Sequence, residues 1–129
     1  MPKRSPNTDP DFDYLFLTIL EESVLISLYN QPLYGLQIVK AFDVASRGQW
    51  KISLGTLYPI LERLEESGFI ESEIIIDIVE SKGRASRKYN SITSKGAFAV
   101  TQKNYLRSRL RNWQPRYGHE PIYKLKSVV

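Results

Sequence analysis

Apolar side chains recur along this chain at a helical period, then at a strand period, then at a helical one again. Leu54, Leu57, Leu61 and Leu64 follow one another at steps of three and four. That spacing sets four leucines on one side of a helix and predicts a core-facing stripe, although many ordinary amphipathic helices carry one too. Ser53 stands before it as an N-cap, and Gly68 stands where a C′ residue belongs. Upstream, Leu17, Leu20, Val24 and Leu28 share one face of a helix predicted from Tyr14 to Tyr29, and Phe16, Ile19 and Ile26 widen it. So broad an apolar surface belongs at the centre of a core or against another chain. Asn30-Gln31-Pro32 ends that helix. The next is predicted from Leu33 to Ala45, with Leu36, Val39 and Phe42 facing the core. Gly35 near its start costs roughly 1 kcal/mol relative to Ala and so argues for a close backbone approach to a neighbouring element. Arg47-Gly48-Gln49 reads as a turn and Trp50-Lys51-Ile52 as a short extended piece leading into the leucine-striped helix.

After Gly68 the residue types change. Phe69 to Val79 is rich in isoleucine and predicts a strand, Ser81 to Ser86 a turn, and Arg87 to Ile92 a returning strand. Thr93 caps a last helix from Ser94 to about Trp113, with Ala99, Gln102, Leu106, Leu110 and Trp113 at helical spacing. Gln114-Pro115-Arg116 stops it, and the residues beyond, with Tyr117, Ile122, Tyr123 and Leu125, show no period. The first 13 residues carry three prolines with Asn, Asp and Ser and predict a mobile arm. The expected architecture is mainly α with a small β-hairpin (α+β): an arm over 1–13, a winged helix-turn-helix over 14–93, and a C-terminal dimerisation helix with a basic tail over 94–129. Pro59 fits this awkwardly. It lacks an N–H, and a helix begun at Ser53 would drive its ring toward the carbonyl four residues back. Either the first turn is loose or the regular helix begins near Tyr58 with Pro59 at N1, and the sequence leaves both open.

Composition narrows the function classes. A chain of 129 residues, 42% hydrophobic and 25% charged, suits one folded domain. With no Cys there is no disulfide framework, thiolate zinc site or cysteine nucleophile. No apolar run approaches the roughly 18 residues of a membrane span, and the N-terminus has no apolar leader region. A cytoplasmic protein with no membrane partner is expected. The sole His is His119, and HExxH, GxSxG and P-loop patterns are missing. Glu21-Glu22 and Glu65-Glu66 are adjacent, so on a helix each pair splays by about 100° and cannot share a substrate. They read as solvated faces. No enzyme activity, cofactor or metal is expected. A small-molecule effector stays undetermined: Trp50, Trp113 and the tyrosines can line an apolar pocket between subunits, or simply fill the core.

Charge is split along the chain. Residues 1–80 hold 6 Lys+Arg and 13 Asp+Glu, and residues 81–129 hold 12 and one, which together make the net +4. This is an electrostatic footprint for nucleic acid, or a solvated basic face. Ser53, Thr56, Tyr58 and Arg63 near the start of the striped helix are the kinds of side chain that reach base edges and phosphates. Lys51 at the helix entry, and Lys82, Arg84, Arg87 and Lys88 on the hairpin, suit phosphate or minor-groove contact, the bland alternative being a solubilising hairpin tip. A helix beyond a complete winged domain must bury its apolar side. A second subunit does this through Phe16, Leu20, Ala99, Leu106, Leu110 and Trp113, and packing back on the first helix is the competing solution. Double-stranded DNA and a second copy of the chain are thus the expected partners. The alternative is a winged-helix module that binds protein without direct DNA contact, favoured by Glu62, Glu65 and Glu66 on the same helix, which repel phosphate.

Three motifs carry a family resemblance. Tyr34-Gly35-Leu36-Gln37-Ile38, Gly55-Thr56-Leu57-Tyr58-Pro59-Ile60-Leu61-Glu62-Arg63-Leu64-Glu65, and Gly83, Arg84, Lys88 and Tyr89 with Ile92-Thr93 and Gly96 resemble the PadR family of winged-helix transcriptional regulators. The middle motif is the specific one, and the similarity runs from about Thr18 to Trp113. It implies a homodimeric repressor on a near-palindromic operator, with a proline kept inside the recognition element. Leu36 and Gln37 replace the family's usual aromatic and acid, and the C-terminal region is short for the family, which implies a dimer made by the first and last helices together.

Overall fold

Thr18 breaks the first apolar stretch in two. A computed structural model describes residues 10–79 and 83–115, and in it a 3₁₀ segment, Pro10–Phe16, precedes helix α1, Ile19–Ser27. The single helix expected over Tyr14 to Tyr29 does not form, because Thr18 Oγ1 accepts from the Glu21 amide at 3.1 Å and Glu21 Oε1 accepts from the Thr18 amide at 2.8 Å. This capping box satisfies two donors that a continuous helix would leave to its own ladder. Thr18→Ala should cost about 1 kcal/mol, read as a loss of a few degrees in the thermal midpoint.

Helix α2 is Gly35–Ala45, two residues shorter at its start than expected. Leu33 is taken up elsewhere: its backbone exchanges hydrogen bonds with Asn90 at 3.0 and 2.9 Å. The helix docks on a different face from the one expected. Ile38 and Phe42 are buried, and Leu36, expected inside, is 60% exposed. The chain then turns through Arg47 and Gly48, both at positive φ, and enters α3, Leu54–Glu66. The Ser53 side chain accepts from the Thr56 amide at 3.1 Å. The helix therefore begins at Ser53, with Pro59 inside it. Leu57, Ile60, Leu61 and Leu64 are buried, and Leu54 packs on their edge.

Strands β1, Ile70–Val79, and β2, Gly83–Ile92, pair antiparallel from Ile70↔Ile92 out to Val79↔Gly83. The returning strand is longer than its Arg87 start predicted, because pairing continues outward to Gly83. Only the root of the hairpin joins the core, through Phe69 and Ile70, while Ile74 and Ile76 stand in solvent. Helix α4, Ser94–Asn112, is capped by Thr93, whose hydroxyl oxygen accepts from the Gly96 amide at 3.1 Å. Its first half packs inward through Gly96, Ala99 and Val100, and its second half leaves Tyr105, Leu110 and Trp113 exposed. Ala99, expected at a dimer interface, is sealed in its own subunit's core. Glu21 and Glu22, expected on a solvated face, are buried. No helix among the described residues is long and apolar enough to cross a membrane.

Candidate nucleic-acid interface

The polar start of α3 is held outward by what lies behind it. With Leu57, Ile60, Leu61 and Leu64 facing the core, the opposite side of the helix presents Thr56, Tyr58, Pro59 and Glu62 to solvent. Ser53 and Thr56 are linked, the Ser53 hydroxyl donating to Thr56 Oγ1 at 3.2 Å. Tyr58 is 55% exposed. Its ring edge lies where α2 begins: a Cβ on Gly35 would come within 3.2 Å of both Tyr58 Cε1 and Leu54 Cδ2. The close approach argued from the cost of Gly35 is thus the contact of α2 with the start of α3.

Lys51 lies on the approach to the helix, exposed, with its Nζ 2.8 Å from Asp43 Oδ1. The hydrogen bond and charge of Lys51 hold the Asp43 carboxyl below the usual carboxylate range, and Lys40 adds in the same direction. Arg63 faces another way. Its Nε meets the buried Glu21 Oε2 at 3.4 Å, toward α1 and not toward the Ser53–Tyr58 edge.

The hairpin supplies the cations. Arg84 is exposed. The Arg87 guanidinium lies 4.8 Å over the Tyr34 ring, and Tyr34 meets Tyr89 edge-on at 5.4 Å. Such stacking orders the Arg87 side chain while its charge stays at the surface. Lys88 lies 3.5 Å from Glu65 of α3, and the Ser72 hydroxyl donates to the same carboxylate at 2.8 Å. Glu65 therefore ties the hairpin root to α3 and has one charge of its own balanced there. Lys82 lies outside the described residues. Between α3 and the hairpin runs a cleft of about 640 Å³, bordered by Tyr34, Tyr58, Glu62, Arg87 and Lys88.

Ser53, Thr56 and Tyr58 lie on the exposed start of α3, and Tyr58, Arg87 and Lys88 border one cleft, which Tyr34 and Asn90, not expected from the sequence, also line. Tyr34 reaches the hairpin only because Leu33 pairs with β2. Asn90, 2% exposed, donates from Nδ2 to the Leu33 carbonyl at 3.1 Å. An asparagine in a strand otherwise rich in Ser, Arg and Lys gave no signal of burial.

A helix pair with an antiparallel hairpin beside the exposed start of the second helix defines a winged helix-turn-helix protein. The model of the transcriptional regulator PadR-like family matches residues 24–102, more than half of the sequence, and the chain belongs to that family. Similar solved structures include a PadR-like transcription factor from Bacteroides fragilis, 26% identical, covering 72% of this chain and 84% of that one with a TM-score of 0.61. A PadR family regulator from Eggerthella lenta is 33% identical over 72% of this chain and 75% of that one, TM-score 0.55. Bacillus subtilis PadR, solved in complex with operator DNA, is 23% identical, covering 87% of this chain and 57% of that one, TM-score 0.54. No curated protein matches significantly.

Proposed function

We propose that this PadR-family regulator is a cytoplasmic, sequence-specific repressor that binds a near-palindromic operator as a homodimer. The observation that carries the reading is the shared orientation of two elements: the exposed Thr56 and Tyr58 on α3, and the hairpin bearing Arg84, Arg87 and Lys88 beside them. Thr56 and Tyr58 contact base edges in the major groove, with Ser53 at the helix entry. Lys51 and the hairpin cations hold phosphates, and Lys82 extends that set. Arg63 is left out of the groove by its pairing with Glu21. Support comes also from the operator complex of Bacillus subtilis PadR, a protein of the same fold. The dimer forms through the apolar side chains left in solvent on the first and last helices, Ile19, Phe98, Leu110 and Trp113, with Phe16, Leu20 and Leu106 at their margin. The sequence also resembles the period-extender repressor of the circadian clock, and a clock gene is the regulated gene this resemblance suggests. Exposed Glu62 and Glu66 on α3 favour a second reading, a winged-helix module that docks on protein.

The test is a binding titration on duplex DNA from the protein's own upstream region, at several salt concentrations. Affinity should fall steeply with salt, log K dropping by roughly 0.9 per neutralised phosphate per decade. Arg84→Ala and Arg87→Ala should each weaken binding and flatten the slope by about one contact per subunit. Equal affinities for both variants and the parent would take the hairpin out of the interface. A species of twice 14.9 kDa in sedimentation, reverting to one subunit in Leu110→Glu, is the outcome expected for the dimer.

A further inference from the structure

Two consecutive carboxylates sit in the interior of this small fold. Glu21 is 1% exposed and Glu22 5%. Neighbouring helical positions point about 100° apart, so the two side chains leave α1 in different directions. Glu21 Oε2 meets Arg63 Nε of α3 at 3.4 Å, and its Oε1 is already bound to the Thr18 amide in the capping box. Glu22 Oε1 accepts from Arg107 Nη2 of α4. Its second oxygen, Oε2, is buried with no hydrogen-bond partner among the described residues. Burying two adjacent carboxylates opposes folding, and well-packed apolar side chains would hold a passive core as well or better. What the acids add is a specific partner on each side: Glu21 engages Arg63 of α3 and Glu22 engages Arg107 of α4.

We infer that the Glu21–Glu22 pair is a two-ended coupler, fixing the pose of α3 to that of α4 through α1. Arg63 is then a positioning residue of the reading helix, and Arg107 its counterpart on the helix whose outer half stands in solvent. A partner seated on Leu110 and Trp113 sets, through Arg107, Glu22, Glu21 and Arg63, the direction in which Thr56 and Tyr58 point. The consequence for DNA rests on the reading proposed above; the mechanical link between the helices does not.

Two measurements on the full chain decide the matter, using Arg63→Gln, Arg107→Gln, the double variant, and Arg107→Lys as the charge-keeping control. The first is amide hydrogen exchange without DNA. Arg107→Gln should speed exchange in residues 54–66 by about tenfold, an ordinary size for coupling between sites, while the α2 amides keep their rates. Isosteric Glu22→Gln should do the same. Exchange rising equally in α2 and α3 would show general loosening, and unchanged exchange in α3 would show no link; either overturns the coupler. The second is affinity for a pool of duplexes selected from random sequence by the parent protein. Arg107→Gln should weaken it about tenfold alone, but by less than about twofold once Arg63→Gln is present, because independent sites would multiply. Arg107→Lys should recover most of the loss. Multiplying effects in protein that binds duplex also overturn the coupler. A parent protein that retains no duplex refutes the DNA reading instead, and hydrogen exchange then judges the coupler by itself.

Discussion

Gly96→Ala should lower the thermal midpoint of this protein by about 10 °C. Gly96 lies in the first turn of α4, directly over the end of the α3–β1 connection. A Cβ placed there would fall 2.2 Å from the Phe69 carbonyl oxygen and 2.7 Å from Ile92 Cγ1. Neither neighbour can give way. The Phe69 carbonyl accepts the Thr93 amide at 3.1 Å, and Thr93 in turn caps α4 and donates from its hydroxyl to the Gly68 carbonyl at 2.6 Å. Making room for the methyl group means lifting α4 off the root of the hairpin, which unseats Ala99 and Val100. The cost should reach the top of the roughly 1–3 kcal/mol usual for overpacking, lowering the midpoint by about 10 °C. Thermal unfolding followed by circular dichroism measures it. A shift of only a degree or two would mean that the α4 contact is much looser than described.

Leu57→Ala should be at least as damaging, with a functional reading beside the stability one. Leu57 is fully buried, and its neighbours Thr56 and Tyr58 are both exposed. Removing three methylene-equivalents from the core should cost about 2–5 kcal/mol, a large part of the roughly 5–15 kcal/mol that holds such a domain together. Urea unfolding should show a lower midpoint with an unchanged slope. Because Leu57 seats the helix that carries Thr56 and Tyr58, DNA affinity should fall with stability. Thr56→Ala provides the contrast: stability within about 0.5 kcal/mol of the parent, with affinity reduced. If both variants lost affinity and stability in proportion, the exposed edge of α3 would have no role separate from folding.

Much of this protein follows from local chemistry. The leucine stripe of α3, the Ser53 and Thr93 caps and the β-branched run of β1 are each specified within a few residues, so their elements appear where their periodicity and caps put them. The Arg84, Arg87 and Lys88 cations were visible for the same reason, since they sit within a few positions of one another on β2. Leu36 shows where local reading fails. Whether it faces in or out depends on how α2 docks, with Ile38 and Phe42 inward, and the chain entering α2 is held by Leu33 pairing with Asn90, a partner 57 positions along the chain. Arg63 fails in the same way: a long cation on the helix that carries Thr56 and Tyr58 looks like a phosphate ligand until Glu21, 42 positions away, claims it from the last turn.

Glu21 and Glu22 mark the boundary most clearly. Two charged residues side by side carry the statistical signature of a wet surface, and nothing near them in sequence announces Arg63 or Arg107. The order of residues by itself determined the elements, their caps, the family motif and the sign of the hairpin's charge, because each depends on groups within one or two turns. Only the tertiary structure decided which helix faces stay dry, which acids are buried and which cations they hold. Burial and ion pairing depend on distances between segments far apart in the chain, and no local pattern encodes those.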